Sequence, residues 1–425
     1  MRVLIIGSGG REHALAWKIS SSALLTQLFC APGNPGTAQC AINLNVDYKD
    51  FVSLKRAVID NCIEMVIVGP EDPLVEGLRD RFESDEELSD IIFIGPGSSG
   101  ARLEGSKEFA KNFMERWNIP TARYRSFSID SIDEADEFLE SLSAPYVLKA
   151  DGLAGGKGVV ILDNLDEAKG ELKDMLSGKF GAAGNRVVIE EYLSGIELSV
   201  FILTDGKNYL LLPEAKDYKR ISDGDRGLNT GGMGAVSPVP FAGREFMEKV
   251  EERIIKRTLT GLQGDNIGYK GFIFIGLMNC GGEPYVIEYN VRMGDPETEV
   301  VMPRIESDLL SHLTALGRGR LGSEKILVSE KHGVTIVMVS GGYPQKFERG
   351  FEIFGADSVP EGILFHSGTS EKEGRLITSG GRVLAYTVLG SNIIAIRDRI
   401  YATIKEGIRY EGIYYRRDIG LDLIG

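Results

Sequence analysis

Glu288, Asn290 and Arg292 are spaced two residues apart at the end of an apolar run, within residues 286–297. Side chains two apart in a β-strand point to the same face, so this segment can present a carboxylate, an amide and a guanidinium together. Carboxylate and amide oxygens suit Mg²⁺, which usually also keeps water and phosphate ligands. A metal pair beside an arginine suits phosphoryl transfer to a carboxylate. The alternative is a half-buried strand that runs into a polar turn, and the segment alone favours neither interpretation.

Lys149 ends an apolar run and precedes a glycine-rich stretch that contains Gly155, Gly156, Lys157 and Gly158. The stretch lacks the Gly-x-x-x-x-Gly-Lys-Ser/Thr pattern of a Walker phosphate loop. Glycines let a backbone approach phosphates closely, and they let a turn between antiparallel strands move as a lid. The pattern indicates a phosphate-binding turn, although a plain hairpin loop has the same signature.

Gly7, Gly9 and Gly10 form a turn directly after the first apolar run, followed by Arg11 and Glu12. A Gly-x-Gly-x-x-Gly dinucleotide fingerprint requires glycine where Glu12 stands, which argues against a bound NAD pyrophosphate. The turn still opens a predicted helix, whose exposed N–H groups suit a phosphate. A tight turn between a strand and a helix is the plainer alternative.

Two further stretches place polar residues between apolar runs. In residues 190–197 a strand-end backbone can bind an adenine edge while Glu197 accepts from ribose hydroxyls; a charged interdomain turn is the alternative. Residues 227–235 are too glycine-rich for the interior of a helix or strand, which predicts an ordered or ligand-ordered loop. Lys219 and Arg220 precede it and are candidate anion contacts, although a solvated basic pair explains such residues equally well.

Bulk composition excludes several classes of function. A chain of 425 residues with 43% apolar and 26% charged residues is expected to form two to four soluble globular domains. The net charge of −14 argues against a nucleic-acid surface, although a local basic cluster can still bind a phosphate. The four cysteines show no Cys-x-x-Cys pair and the four histidines are scattered, which favours a reducing cytosol and argues against a zinc site. Because no run is long enough for a signal peptide or a membrane span, we expect a cytoplasmic protein.

The apolar periodicity predicts an alternation of strands and helices over residues 1–100, and hence a parallel sheet that binds ligands at the carboxyl ends of its strands. A charged amphipathic helix over residues 104–117 is expected to lead into a second region. Beyond it the pattern predicts strands at 146–149, 159–162, 186–191, 198–203, 272–278, 285–288, 334–339 and 382–389, and helices at 133–142, 166–176, 246–260, 308–317 and 393–405.

The order of these segments resembles that of the ATP-grasp ligases. Along the chain it runs from a lysine and a glycine-rich lid, through a carboxylate-bearing hinge and further glycine-rich loops, to the strand with the metal ligands. Within that superfamily the chain is similar, from residue 1 to about 420, to the phosphoribosylamine–glycine ligase family. Joint matching of motifs in order is far more specific than any single motif. The resemblance rests on Gly7-x-Gly9-Gly10-Arg11-Glu12-His13-Ala14, Ala31-Pro32-Gly33-Asn34, Val68-Gly69-Pro70-Glu71, Leu103-Glu104-Gly105-Ser106-Lys107, Lys149-Ala150-Asp151-Gly152-Leu153-Ala154-x-Gly156-Lys157-Gly158, Asn229-Thr230-Gly231-Gly232-Met233-Gly234 and Arg292-x-Gly294-Asp295-Pro296-Glu297-Thr298.

The resemblance implies a mixed α/β and α+β architecture with three domains. These are an N-terminal Rossmann-like parallel-sheet (pre-ATP-grasp) domain over 1–103, a two-lobed ATP-grasp domain over 104–326 with a lid subdomain at about 122–192, and a small C-terminal α+β domain over 327–425. The implied reaction joins glycine to 5-phosphoribosylamine with ATP, through glycyl phosphate, in the second step of de novo purine (IMP) synthesis. Its cofactors would be ATP with Mg²⁺ or Mn²⁺. We expect a monomer in transient contact with the preceding pathway enzyme, and neither nucleic-acid nor membrane partners.

The resemblance also assigns roles at the nucleotide end of the site. Glu288 and Asn290 would bind the metal. Contacts to ATP would come from Lys107 and Lys149 on the phosphates, the lid of Gly155, Gly156, Lys157 and Gly158, the adenine frame of Glu190, Tyr192 and Leu193, and Glu197 on the ribose.

At the substrate end, Arg292 would stabilise the acyl phosphate and the tetrahedral oxyanion, with Gly294 and Asp295 near the amine. Arg292, Lys149 and Asp295 are the implied catalytic residues. Gly9, Gly10, Asn34 and Glu71 would face phosphoribosylamine, and the glycine and sugar-phosphate side would be lined by Asp217, Lys219, Asn229, Thr230, Gly231, Gly232 and Met233.

Four positions depart from the family pattern. Lys216 and Tyr218 stand where the family usually has Gln and His, Leu228 where it has Pro, and Glu299 where it has Gln. The first two departures argue against direct roles of these side chains. In addition, residues 272–278 offer no carboxylate for a second metal, which we expect phosphates and water to hold.

Three other functions remain as alternatives. Another carboxylate–amine ligase or a carboxylase subunit would share the superfamily, and only a panel of acid substrates separates it from the glycine ligase. A non-catalytic nucleotide-binding protein is disfavoured by Lys149, Glu288, Asn290 and Arg292 together. An NAD-dependent oxidoreductase is disfavoured by Glu12.

Overall fold

The N-terminal part forms a parallel sheet with helices on both faces. A computed structural model describes residues 1–155, 158–357 and 359–424. In the sheet order β3-β2-β1-β4-β5, every neighbouring pair is parallel, as the sequence predicts. The elements are β1 (Arg2–Gly7), α1 (Gly10–Ser20), β2 (Gln27–Pro32), β3 (Ile42–Asn43), α2 (Phe51–Asp60), β4 (Met65–Val68), α3 (Asp72–Val75), α4 (Leu78–Ser84), β5 (Ile92–Ile94) and α5 (Ser98–Gly105).

The helix predicted over residues 104–117 is confirmed over Lys107–Arg116, but its predicted start is wrong. Helix α5 ends at Gly105, and α6 (Lys107–Arg116) begins after Ser106, whose backbone is extended. The Ser106 hydroxyl accepts a hydrogen bond from the Phe109 N–H at 3.1 Å, which is the usual N-cap contact. Asp151 strengthens this start, because its carboxylate accepts from the Ser106 hydroxyl (2.9 Å) and the Glu108 N–H (2.8 Å).

A four-stranded antiparallel sheet of order β6-β9-β7-β8 forms a separate lobe, called the lid lobe below. Strands β7 and β8 are antiparallel, as predicted for the strands beside the glycine turn. The lobe has its own apolar core, which includes Phe127, Leu148 and Ile189. Its elements are β6 (Tyr124–Phe127), α7 (Ile132–Glu140), β7 (Tyr146–Ala150), β8 (Val159–Leu162), α8 (Leu165–Asp174), a π-helical turn (Met175–Lys179) and β9 (Val187–Glu191).

The second lobe is built on a four-stranded antiparallel sheet of order β11-β10-β16-β17. The predicted helix over 246–260 is present, with a π-helical turn (Glu251–Ile255) between its two halves. The elements are β10 (Ile196–Thr204), β11 (Tyr209–Leu211), α9 (Arg244–Val250), α10 (Lys256–Gly264), β16 (Gly271–Cys280), β17 (Glu283–Asn290), α11 (Glu297–Val301) and α12 (Leu309–Gly317).

The last sheet, of order β12-β15-β18-β22-β19, joins the middle of the chain to its C-terminal part. Its elements and the adjoining hairpins are β12 (Lys216–Asp217), β13 (Arg220–Ser222), β14 (Arg226–Asn229), β15 (Gly234–Ser237), β18 (His332–Val339), β19 (Ile363–His366), β20 (Thr369–Lys372), β21 (Arg375–Thr378), β22 (Arg382–Gly390) and α13 (Ile393–Glu406). Single 3-10 turns lie at Thr37–Gln39, Ile129–Ser131, Gly181–Gly184, Met302–Arg304, Leu321–Ser323 and Leu421–Leu423.

The glycine-rich residues 227–235 are only partly a loop, so the prediction is wrong at both ends of this stretch. Residues 226–229 form β14, and residues 234–237 form β15. Glycine is required at position 234 of this strand because its neighbours leave no space for a side chain: a Cβ there would lie 2.6 Å from the Thr335 carbonyl oxygen. No helix in the described part of the chain combines the length and apolarity that a bilayer span requires.

Candidate active site

A β-bulge in β17 explains how one short strand serves both the core and a cleft. Gly276 of β16 pairs with Glu288 and Leu277 pairs with Val286, so Ile287 is an extra residue in β17. Val286 is fully buried, and a regular strand would therefore bury the residue two positions on. The bulge reverses the alternation, so that Glu288, Asn290 and Arg292 line the cleft as predicted.

This cleft lies between the lid lobe, helices α5 and α6, and β17. It encloses about 630 Å³, a volume typical of small-molecule sites. Its walls carry Glu71, Glu104, Lys107, Lys111, Lys149, Gly155, Gly158, Glu190, Glu288, Asn290 and Arg292. Gly156 and Lys157, also predicted for the lid, lie outside the described residues.

Two buried lysines meet one carboxylate at the lid-lobe wall. Lys149 Nζ is 2.9 Å from Glu190 Oε1, and Lys111 Nζ is 2.8 Å from Glu190 Oε2. Burial raises the pKa of Glu190, but Lys149 and Lys111 outweigh burial and hold it below its usual value. Burial lowers the pKa of Lys111 to about 8 although Glu190 opposes this change. The triad therefore keeps positive charge in a nearly dry wall.

Glu288 faces the cleft among cations from several elements. Burial raises its pKa, but Lys219, Lys149, Lys107 and Arg292 together lower it below the usual value. Burial also lowers the pKa of Lys107, against the attraction of Glu288. The Glu288 carboxylate is therefore surrounded by cations, and the same cations could attract an anionic substrate into the cleft.

The donor set at β17 fits a hard divalent cation. Asn290 is 8% exposed, and its side-chain nitrogen has no hydrogen-bond partner among the described residues, so no contact fixes the amide away from the cleft. No group of three or more His, Cys, Asp and Glu side chains in the described ranges is arranged as a metal cage. A cation here would have Glu288 and Asn290 as protein ligands and would need phosphate or water oxygens in addition.

Arg292 is held by two carboxylates from different parts of the chain. Its Nη2 is 2.8 Å from Glu104 Oε1 in α5, and its Nε is 3.1 Å from Glu71 Oε2. Burial raises the pKa of Glu104 to about 7, even though Arg292 opposes it. Burial also raises the pKa of Glu71, but the attraction of Arg292 and Arg11 outweighs burial and brings this pKa below its usual value. These two ion pairs hold the Arg292 guanidinium in the cleft lining that also contains Glu288.

Asp295 lies just beyond the cleft lining, beside the glycine loop. Arg382 Nη1 is 3.1 Å from Asp295 Oδ1 and also donates to the Gly231 carbonyl. The Gly231 N–H donates to the Tyr343 hydroxyl at 3.0 Å. A Cβ on Gly232 would overlap the ring of Pro296. The structure therefore places residues 231–232 against Asp295, and their role on the substrate side stays a prediction.

The other residues predicted for this side are spread over several environments. Lys219 pairs with Glu197, and burial raises the pKa of Asp217 to about 8 while Lys219 opposes it. Asn229 is exposed, and the Thr230 hydroxyl donates to the Lys219 carbonyl at 2.9 Å. The Met233 side chain is fully buried in the apolar core, so it is not exposed to a ligand. The Gly294 carbonyl accepts from the Thr298 hydroxyl at the start of α11.

The N-terminal glycine turn closes on its own glutamate. Glu12 Oε2 accepts from the Gly9 N–H at 2.6 Å, and Glu12 Oε1 is 2.6 Å from Arg11 Nε. This carboxylate takes one of the N–H groups that we expect a phosphate to use. Asn34 donates to the Ser8 and His366 carbonyls, both at 2.8 Å, and thus joins the N-terminal sheet to the C-terminal part.

The predicted adenine and ribose residues are only partly brought together. Glu190 lies in the cleft wall, bound to two lysines. Tyr192 is 44% exposed, and neither it nor Leu193 belongs to the lining. Glu197 pairs with Lys219 outside the lining as well. Contacts from these residues to a nucleotide therefore stay a prediction.

Two departures from the family pattern contact the C-terminal segment. Lys216 pairs with Asp422, and the Tyr218 hydroxyl donates to the same carboxylate at 2.6 Å. The ammonium of Lys216 also lies 4.6 Å from the centre of the Tyr218 ring. Both side chains face the protein rather than the cleft, which agrees with the expectation that they have no direct role.

Sequence reasoning missed Lys111, Glu104 and Arg382. The sequence could have indicated Lys111, because it lies four residues after Lys107 on the same face of a predicted helix. Both lysines line the cleft. Glu104 stands in a quoted motif, but nothing near it in sequence indicates its contact with Arg292, which lies 188 positions later. Arg382 lies 87 positions after Asp295, and no local pattern points to it.

Comparisons with known proteins agree with this architecture. Three family models match the chain: the phosphoribosylglycinamide synthetase N domain over residues 1–104, the ATP-grasp (A) domain over 105–298 and the C domain over 333–422. Among curated proteins, the phosphoribosylamine–glycine ligase of Rhizobium meliloti is 45% identical over 424 residues, which cover 99% of this chain and 98% of that protein. That of Caldanaerobacter subterraneus is 42% identical over 421 residues, covering 99% of both.

Solved structures agree as well. The crystal structure of the Thermotoga maritima phosphoribosylamine–glycine ligase matches with a TM-score of 0.85 at 36% identity, covering 98% of this chain and 100% of that one. The biotin carboxylase domain of the Hydrogenobacter thermophilus 2-oxoglutarate carboxylase, in complex with MgADP, matches with a TM-score of 0.72 at 18% identity, covering 100% of this chain and 92% of that one. The second likeness concerns the fold alone.

The three-part architecture and its family matches define an ATP-grasp ligase, which confirms the predicted fold class. The chain belongs to the phosphoribosylglycinamide synthetase family, whose curated members are named phosphoribosylamine–glycine ligases. The family resemblance found in the sequence is thereby confirmed.

Proposed function

We propose that the protein joins glycine to 5-phosphoribosylamine with ATP, giving glycinamide ribonucleotide, ADP and phosphate, as the second step of de novo purine (IMP) synthesis. The observation that carries the proposal is the bulged strand β17, which turns Glu288 and Asn290 into a lysine-rich cleft that Arg292 also lines. Curated relatives named phosphoribosylamine–glycine ligase match this chain over nearly their whole length, which supports the same reaction.

The proposed chemistry has two steps. A carboxylate oxygen of glycine attacks the γ-phosphorus of ATP, so that ADP leaves and glycyl phosphate forms. The amine nitrogen of phosphoribosylamine then attacks the glycyl carbonyl carbon, and phosphate leaves with the electron pair of the carbon–oxygen bond. Phosphorylation is needed because a free carboxylate has no adequate leaving group.

At the ATP end, Lys107 and Lys149 contact the phosphates in this proposal. Their ammonium groups line the same cleft as Glu288, and their positive charge offsets the charge of a triphosphate. The lid turn, including Gly155 and Gly158, closes over the phosphates, while residues 190–197 bind the adenosine. Glu288 and Asn290 would hold Mg²⁺ or Mn²⁺, which would neutralise charge on the transferred phosphoryl group.

At the amine end, Arg292 stabilises the acyl phosphate and the oxyanion, since its planar fork offers paired donors. The double clamp of Glu71 and Glu104 fixes this fork before substrates arrive. Asp295 accepts the proton that the amine nitrogen loses as the amide bond forms. Asp217, Lys219 and residues 229–232 bind glycine and the sugar phosphate together with Gly9 and Gly10. The protein acts as a cytoplasmic monomer on small molecules, in transient contact with the enzyme that supplies the amine.

The test is substrate-dependent ADP release by the purified protein. ADP must accumulate only when glycine and phosphoribosylamine are both present, with one glycinamide ribonucleotide formed per ADP. A panel of other small acids in place of glycine should give little ADP. Equal rates with several acids would favour another carboxylate–amine ligase, and no ADP release under any condition would refute the proposal.

A further inference from the structure

Glu299, in α11, is an unusual acidic residue outside the cleft lining. It is fully buried. Neither of its carboxylate oxygens has a hydrogen-bond partner among the described residues when the group is taken as ionised. A buried carboxylate without donors is strongly disfavoured, whereas a buried carboxylic acid can itself donate.

The neighbour that can accept such a proton is Asp295, whose side chain lies within hydrogen-bond reach of Glu299. Two carboxylates at this separation repel, but an acid and a carboxylate form a strong hydrogen bond. Arg382 Nη1 is 3.1 Å from Asp295 Oδ1, which places a cation on the Asp295 side of the pair. The pair therefore holds one proton, on Glu299.

The surroundings leave little freedom for this arrangement. A Cβ on Gly10 would overlap both Glu299 Oε1 and the Ser367 hydroxyl, so the pair is packed against the N-terminal glycine turn. The charged and titratable groups facing the pair are Arg382, Arg11, Glu12, Glu297 and Tyr343. His366, beside Ser367, is engaged with His13 and Thr369.

We propose that Glu299 is a positioning residue that donates its proton to the Asp295 carboxylate and thereby fixes the direction in which Asp295 meets the amine substrate. The inference rests on the proposed function of Asp295 in the amine site. Asp295 Oδ2 lies 3.5 Å from the position that a Cβ would take on Gly9, which places the pair at the wall assigned to phosphoribosylamine.

Electrostatics supports retention of the proton at neutral pH. Burial raises the pKa of Glu299 well above its usual value, Asp295 raises it further, and the opposing effect of Arg382 is smaller. Unfolded Glu299 ionises near pH 4.5. The folded state therefore binds more protons than the unfolded state above that pH, and the free energy of unfolding falls as pH rises towards the folded pKa.

The experiment compares two substitutions of similar size. Glu299→Gln keeps a permanent donor towards Asp295, whereas Glu299→Leu has none. At pH 7 we expect kcat/KM for phosphoribosylamine to stay within about threefold of wild type in Glu299→Gln and to fall about 10-fold or more in Glu299→Leu. The KM for ATP should change in neither variant. Equal loss in both, or loss in neither, would overturn the positioning role.

The pH dependence gives a second readout that does not need catalysis. The unfolding free energy of Glu299→Gln minus that of wild type should rise as pH increases above about 4.5, because the amide cannot ionise. A difference that is flat with pH would overturn the proposal. This measurement decides the matter if Glu299→Leu fails to fold. It also separates the two hypotheses, because a wild-type protein that makes no product refutes the proposed function and leaves the proton test intact.

Discussion

The two ends of the candidate active site contain buried carboxyl groups whose pKa values are shifted in opposite directions. At the nucleotide end, Glu190 and Glu288 are surrounded by lysines, which hold their pKa values below the usual range. At the amine end, burial raises the pKa values of Asp217 and Glu299, and the nearby cations do not compensate. The number of cations around each carboxylate, rather than its burial, decides which end is ionised.

This difference matches a division of labour. An ionised carboxylate among lysines provides alternating charges for a metal and a polyphosphate. A carboxyl group that keeps its proton can donate a hydrogen bond, which an ionised one cannot do. Arg292 stands between the two ends, tied to Glu71 and Glu104. The comparison therefore predicts that loss of charge is most damaging at the nucleotide end and least damaging where the carboxyl is already neutral.

The largest effect is expected for Glu288→Ala. Removal of the only carboxylate that β17 offers to the cleft should reduce kcat below about one-thousandth of wild type, because the metal loses its charged ligand. Steady-state ADP release at several Mg²⁺ concentrations measures this. Glu283→Gln is the control, since Glu283 lies on the same strand but pairs with Lys249 and Arg253 at the surface. Near-normal turnover of Glu288→Ala at ordinary Mg²⁺ would remove Glu288 from the metal site.

A somewhat smaller effect is expected for Arg292→Lys. A single ammonium cannot hold Glu71 and Glu104 while presenting a planar fork to the substrate, so kcat should fall about 100-fold. The same substitution at Arg253, which pairs with Glu283 away from the cleft, should leave kcat unchanged. Rapid-quench measurement of ADP formation detects the loss in the chemical step. If kcat of Arg292→Lys equals that of wild type, Arg292 has no catalytic role.

Glu190→Gln should mainly destabilise the fold. It leaves Lys111 and Lys149 buried without their counter-charge, which we expect to cost about 3 kcal/mol of unfolding free energy at pH 7. The loss should shrink as pH rises towards about 8, the wild-type pKa of Lys111, and level off above it, because Lys111 without its counter-charge loses its proton at a lower pH. Urea unfolding between pH 7 and pH 9 measures both effects.

The matched control for that change is Glu140→Gln in the same lobe. Glu140 forms a surface pair with Lys169, which solvent screens and which should contribute little to the free energy of unfolding. Equal stabilities of Glu190→Gln and Glu140→Gln would mean that the lysine triad is not the source of stability at this wall.

The smallest effect is expected for Asp418→Asn, outside both ends. Asp418 accepts from the Gly224 N–H at 2.7 Å and pairs with Arg416, so it holds the hairpin of β13 and β14. Its loss should raise the KM for glycine or phosphoribosylamine about threefold and speed amide exchange in residues 220–229, with kcat unchanged. Asp398→Asn on the exposed face of α13 is the control. Unchanged exchange in the hairpin would contradict this role.

Much of the fold follows from local patterns. The sequence predicts the buried run of β1, the antiparallel strands β7 and β8, and the spacing of Glu288, Asn290 and Arg292. These features depend on the pattern of apolar residues within a few positions. The break at Ser106 was missed even though serine is a common N-cap, since the charged helical pattern continues on both sides of it.

Contacts that join distant parts of the chain could not be predicted in this way. The bulge at Ile287 depends on the register between β16 and β17, which the sequence of β17 alone does not encode. The proton state of Glu299 depends on Asp295, Arg382 and the packing of α1, and hence on the assembled fold. The comparison between the two ends of the site required the structure for the same reason.

The most direct test of the central claim follows oxygen from glycine into phosphate. Glycine labelled with ¹⁸O in both carboxylate oxygens is supplied with ATP and phosphoribosylamine, and the released phosphate is analysed by mass spectrometry. If the carboxylate is phosphorylated in the cleft, each phosphate should carry one ¹⁸O and each glycinamide ribonucleotide should retain the other. Phosphate without label, formed at the same rate as the amide product, would contradict activation of the acid by ATP.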